Sequence, residues 1–107
     1  MRTVSLGILL VAAASIAMAG HVYGTIREHN QPIRGVEVVL VCGGERSSAK
    51  TDGEGVYRLF AKATGNCQLV LDPASRNAAG PLYSYDRPTA YDFDLVRENG
   101  RWALRKR

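Results

Sequence analysis

The residues of this 107-residue chain that could do chemistry fall into a few groups. Cys42 and Cys67 could form a disulfide, a metal pair or a redox pair. There is no C-x-x-C, and no His lies beside either Cys. An even cysteine count in an exported chain then points to one disulfide. His21 and His29 are the histidines. If the chain were cut after Gly20, the terminal amine and imidazole of His21 could chelate copper. Otherwise two histidines without partners read as solvated surface groups, and no metal site is expected beyond the candidate His21. Asp52 and Glu54 could hold calcium with loop carbonyls, but two carboxylates in a turn are thin support. A Ser-His-Asp arrangement would need His21 or His29, and neither sits in a nucleophile context. No catalytic residue and no cofactor is expected, and the chain reads as not an enzyme.

A further group lies in residues 73–88, which read as a long loop. It carries Arg76, Asn77, Leu82, Tyr83, Tyr85, Asp86 and Arg87. Tyrosine beside arginine is the composition of interaction surfaces, and an aromatic face also packs well on a sugar ring. Tyr83, Tyr85 and Arg87 are the candidate binding residues, for a protein or a carbohydrate. The competing reading folds the loop back, so that its tyrosines cap the open end of the fold.

These groups must be positioned by the rest of the chain. Residues 1–19 read as a secretory signal removed from residues 20–107. Arg2 supplies the positive start, Leu6–Ala14 a short apolar stretch, and Ala17-Met18-Ala19 an A-x-A cleavage pattern. A bilayer span takes about 20 apolar residues. The stretch is shorter than that, so no stable membrane insertion is expected after cleavage. No Cys follows the site, which argues against a lipid anchor. The expected location is periplasmic or secreted.

The formal net charge is +4, from 14 Lys and Arg against 10 Asp and Glu. Much of the excess sits in Arg101, Arg105, Lys106 and Arg107. A basic end can meet an anionic membrane or nucleic acid. Nucleic acid does not suit an exported chain, and the simpler reading is a frayed, solvated end.

No segment of residues 20–107 keeps a 3.6-residue apolar period. Short alternating runs between turn residues recur instead. They are Val22–Ile26, Val36–Cys42, Arg46–Thr51, Val56–Ala61, Cys67–Leu71, Tyr91–Leu95 and Arg101–Arg105. Arg46–Thr51 is polar and reads as an edge strand. Asp52-Gly53-Glu54-Gly55 and Asn99-Gly100 are turn signals. Seven short strands in one small domain suggest an all-β sandwich.

Three stretches carry a resemblance. They are Val22-x-Gly24-x-Ile26, then Gln31-Pro32-Ile33-x-Gly35-Val36-x-Val38-x-Leu40, then Thr51-Asp52-x-x-Gly55-x-Tyr57-x-Leu59. In this order and spacing they resemble the carboxypeptidase regulatory-like domain, a transthyretin-like sandwich. The likeness covers roughly residues 22–60. It implies a seven-stranded Greek-key β-sandwich following a cleaved signal helix. It makes Pro32, Gly35, Asp52 and Gly55 structural turn residues. It also makes the second and fifth strands sheet neighbours, which brings Cys42 and Cys67 together. Such domains usually serve as binding or structural modules of exported proteins. The transthyretin-like fold also hosts hydroxyisourate hydrolases, which resemble one another in histidines near the start and a Tyr-Arg-Gly-Ser ending. Here Leu104-Arg105-Lys106-Arg107 stands instead, so that role is not implied.

Overall fold

Apolar side chains at every second position make the first long strand of the computed structural model. In β1 (His21–Glu28), Val22 and Ile26 turn inward while Tyr23 faces solvent. The structure describes residues 20–107, and the signal reading of residues 1–19 lies outside them. The same alternation builds β5 (Val56–Phe60), β6 (Gly65–Leu71) and β9 (Phe93–Glu98), while β3 (Glu37–Cys42) is buried on both faces at Val38–Leu40 and β10 (Arg101–Lys106) buries Leu104. The polar strand β4 (Glu45–Lys50) flanks β3 at the sheet edge. Short pieces β2 (Gln31–Pro32) and β8 (Thr89–Ala90) attach to β1.

The all-β class is as expected, with more strands than seven. The strand order is β2-β1-β9-β10-β7-β6-β3-β4, with β5 and β8 also on β1. The faces close on Val22, Ile26, Leu40, Tyr57, Leu59, Leu69, Leu71, Phe93 and Leu104, all buried. Burial of this kind is the main stabilising term for a small domain.

The segment read as a loop holds an additional strand, β7 (Ala78–Ser84), between β6 and β10. Gly80 and Pro81 hid it, because both are depleted in strands. The packing explains each. A Cβ on Gly80 would come within 2.8 Å of the Leu104 backbone oxygen, so only glycine lets β7 lie this close to β10. Pro81 lies beyond the one register pair that joins β7 to β10, Ala103 with Ala79. There, among the described residues, β7 has only β6 as a ladder neighbour, and a missing N–H on its other side breaks no ladder bond.

Strands β3 and β6 are antiparallel neighbours with Cys42 opposite Cys67. A disulfide joins them, and their Cα atoms are 4.3 Å apart. That separation fits a pair whose backbone groups point away from each other, where side chains lie closest. The bridge closes a loop with a sequence separation of 25. In the chain-entropy model such a bridge contributes about 3.5 kcal/mol.

The turn into β5 is built by Asp52 and Gly55. The Asp52 Oδ1 accepts the N–H groups of Glu54 and Val56, each at 2.9 Å. Gly55 adopts φ of +78°, and a Cβ there would lie 2.8 Å from the Ile26 carbonyl oxygen. Pro32 sits in β2 beside this turn, and the Gly35 N–H donates to the Thr51 carbonyl at 2.9 Å.

The basic end is not frayed. Arg105 pairs with Glu98. The Lys106 ammonium lies 5.1 Å from the centre of the Tyr91 ring. The Arg107 Nε sits 2.9 Å from Asp94 Oδ1, and its Nη2 donates to Thr25 Oγ1 at 2.8 Å. Pairing of β10 with β9 aligns these cations with carboxylates, which the linear sequence could not show.

Candidate functional site

Alternation along β7 decides which side chains reach solvent. Ala78, Gly80, Leu82 and Ser84 turn inward and are buried. Pro81 and Tyr83 turn outward, and Tyr85 follows at the strand end. Tyr83 is 41% exposed and Tyr85 36%. Their ring centres are 4.7 Å apart with the planes tilted by 55°. The Arg87 guanidinium lies over the Tyr85 ring at 4.8 Å, and its Nη1 is 3.8 Å from Asp86 Oδ1. The structure therefore brings Tyr83, Tyr85 and Arg87 together on one surface.

The capping role falls to another tyrosine. The Tyr91 hydroxyl donates to the Tyr83 carbonyl at 2.8 Å and accepts from the Tyr83 N–H at 3.3 Å. It satisfies the edge of β7 where, among the described residues, no strand lies alongside. The Tyr91 carbonyl in turn accepts from the buried Tyr57 hydroxyl at 2.7 Å. Burial pushes the Tyr57 hydroxyl well above its ordinary value, helped by the negative charge of Asp92. A chain of contacts thus runs from the core to the exposed aromatic surface. Tyr91 precedes β9 rather than opening the strand with Phe93, and its capping role has no sequence signal because β7 itself is hidden by Gly80 and Pro81.

A second constellation centres on Trp102. The β9–β10 register sets Arg97 opposite Trp102, and its guanidinium lies 4.9 Å from the ring centre. Arg76 approaches the same ring at 6.0 Å and pairs with Asp72 at 3.0 Å. A cleft of about 610 Å³ opens here, between the β1–β2 turn at His29 and Asn30 and the far half of β9. Glu28, Asp94 and Glu98 line it, and each lies beside an arginine. The Asn99-Gly100 hairpin signal already implied the register that pairs Arg97 with Trp102.

The histidines are not brought together. His21 begins β1, and its ring stacks on Phe60 with centres 4.7 Å apart. The Tyr23 ring centre lies 5.2 Å from that of His21. His29 lies in the turn beyond the other end of β1. Among the described residues, no cluster of three or more His, Cys, Asp or Glu is placed to hold a metal. The Asp52 carboxyl is held below its ordinary value by the N–H groups of Val56 and Glu54 that it accepts. No helix among the described residues is long and apolar enough to cross a membrane.

No protein-family model matches this sequence, and no curated protein matches it. The fold does match a solved structure, 5-hydroxyisourate hydrolase from Klebsiella pneumoniae, with a TM-score of 0.57. Identity is 18%, covering 82% of this chain and 98% of that one. The architecture is transthyretin-like. This likeness overturns the expectation that the chain is not an enzyme. A fold of this shape and size carries a hydrolase, so the lack of a familiar catalytic pattern does not exclude catalysis. At this identity the likeness shows the fold and assigns no reaction.

Proposed function

We propose that this protein is a recognition module that captures its partner through the surface of Tyr83, Tyr85 and Arg87. One observation carries the reading: two neighbouring tyrosines and a stacked arginine stand exposed at the end of a strand whose inner face is buried. Tyrosine and arginine concentrate binding energy because they bury large area with little loss of freedom. The surface is rigid, since Tyr91 holds the Tyr83 backbone and the disulfide holds β6 beside it. The resemblance of residues 22–60 to carboxypeptidase regulatory-like domains supports an accessory role. The Cys42–Cys67 bridge is compatible with an oxidising, extracellular compartment, and the signal-like residues 1–19 support export.

The test is a triple substitution, Tyr83→Ala with Tyr85→Ala and Arg87→Ala. Capture of the native partner from the exported fraction should be lost while the unfolding midpoint stays within the normal range for surface changes. Unchanged capture by a folded variant removes this surface from the reading.

A further inference from the structure

We infer that the open face of β6 and β7 is a platform for a neutral glycan. This rests on the recognition reading above and names its ligand. Register sets Gln68 opposite Pro81 and Asn66 opposite Tyr83. Side chains two apart on a strand share a face, and directly paired residues do too. Asn66, Gln68, Pro81 and Tyr83 therefore form a four-cornered patch on the solvent side, and all are exposed. Neighbouring strands lie about 4.8 Å apart, and residues i and i+2 about 6.6 Å. Two amides stand on one edge and two flat apolar rings on the other. Val41 on β3, paired with Gln68, extends the patch.

The chemistry of the patch is selective. A shallow hollow of about 390 Å³ covers the Asn66, Gln68 and Pro81 corners and Val41, with Tyr83 beside it, and among the described residues no ionisable side chain lines it. That contrasts with a chain in which 22% of residues are charged, and with the charged cleft at Trp102. A charged ligand seated in the hollow would lose water without a counter-charge lining it; the next cation on this face is Arg46, paired with Val41. A sugar hydroxyl both donates and accepts, which is what a side-chain amide offers in return. The Asn66 and Gln68 side chains are exposed on this face, within reach of a ligand. The C–H face of a pyranose matches the Tyr83 and Pro81 rings. The patch is also pre-organised. Cys67 sits between the two amide residues and is stapled to β3, and Tyr91 pins Tyr83. Rigid platforms lose little entropy on binding. Tyr85 continues the aromatic line past the strand end, as a ligand of several sugar units would use.

The disulfide-bonded protein is titrated with maltohexaose, cellohexaose and chitohexaose, while NMR follows the Asn66 and Gln68 side-chain amides and the Tyr83 amide. At least one hexasaccharide is expected to shift all three saturably, with a millimolar or tighter constant. Asn66→Ala and Gln68→Ala are each expected to weaken it about tenfold, with the unfolding midpoint unchanged. No saturable shift with any of the three overturns the inference. So does tighter binding of a charged hyaluronan hexasaccharide than of every neutral one. Shifts centred on Tyr85 and Arg87, insensitive to Asn66→Ala, overturn the platform but leave the recognition surface standing. The recognition reading falls separately, if the triple variant captures its native partner normally.

Discussion

The Tyr91 hydroxyl closes both backbone groups of Tyr83, donating to its carbonyl at 2.8 Å and accepting from its N–H at 3.3 Å. A side chain thus stands where a neighbouring strand would be, at the point where β7 carries the exposed aromatic surface. Tyr91→Phe removes both contacts and keeps the ring. The expected cost is about 1–2 kcal/mol in urea unfolding, since each hydrogen bond contributes roughly 0.5–1.5 kcal/mol net. The Tyr83 amide should exchange with solvent faster in the variant while the β3–β6 amides keep their protection. Equal Tyr83 exchange in both proteins would show that the contact does not hold the strand.

The Tyr57 hydroxyl links this device to the core. Its ionisation is pushed up from the ordinary 10.0, chiefly by burial. The unfolded chain loses this proton near pH 10 while the folded chain keeps it. Stability is then fully present below about pH 10 and falls as pH rises above it, with a limiting slope of about 1.4 kcal/mol per pH unit. Urea midpoints between pH 9 and 11.5 should decline, and Tyr57→Phe should flatten that decline. A parallel decline in both proteins would assign it to other groups.

The disulfide is expected to be a major part of the stability of this small domain. Cys42→Ser with Cys67→Ser should lower it by about 3–4 kcal/mol, read from denaturant unfolding. A reducing agent should lower the wild-type protein to a similar level and leave the double variant unchanged. If wild type and variant unfold together without reductant, the bridge is not formed in solution.

Asp52 is expected to titrate below the ordinary 3.8, because its charged form accepts the Val56 and Glu54 N–H groups. Its contribution is present above pH 3.8 and is lost as pH falls through the lower, folded value. NMR titration of the Asp52 carboxyl measures this directly. Asp52→Ala should destabilise the turn into β5, and Asp52→Asn, which keeps an acceptor oxygen, should do so less. A carboxyl titrating at or above 3.8 would refute the assignment.

Much of this molecule was legible before its structure. The alternation in Val22–Ile26, Val36–Cys42 and Val56–Ala61 marks strands because a pleated chain sends successive side chains to opposite faces. Seven runs and their turns were enough for the class, and the even cysteine count pointed to one pair, with which the strand neighbours implied by the resemblance agreed. Strand β7 was not legible. Gly80 and Pro81 oppose a strand locally, and only the closeness of Leu104 and the open edge beside Pro81 explain them. The exclusion of enzymes failed for a different reason. It relied on motif absence, whereas the fold itself is shared with a hydrolase.

The candidate residues show the same division. Tyr83, Tyr85 and Arg87 stood out by type, since exposed aromatics beside arginine suit recognition wherever they occur. Whether they face solvent or cap the core depends on the phase of β7, which its register with β6 sets. The sequence by itself determined the strand pattern, the single cysteine pair and the residue types available for binding, because these depend on local periodicity and composition. Only the tertiary structure decided that Arg107 is held by Asp94 and Thr25 rather than fraying. It likewise decided that Tyr91 supports Tyr83 and that the Tyr57 hydroxyl reaches the Tyr91 carbonyl. These relationships join residues from separate strands, and long-range register, which no local pattern encodes, brings them within reach.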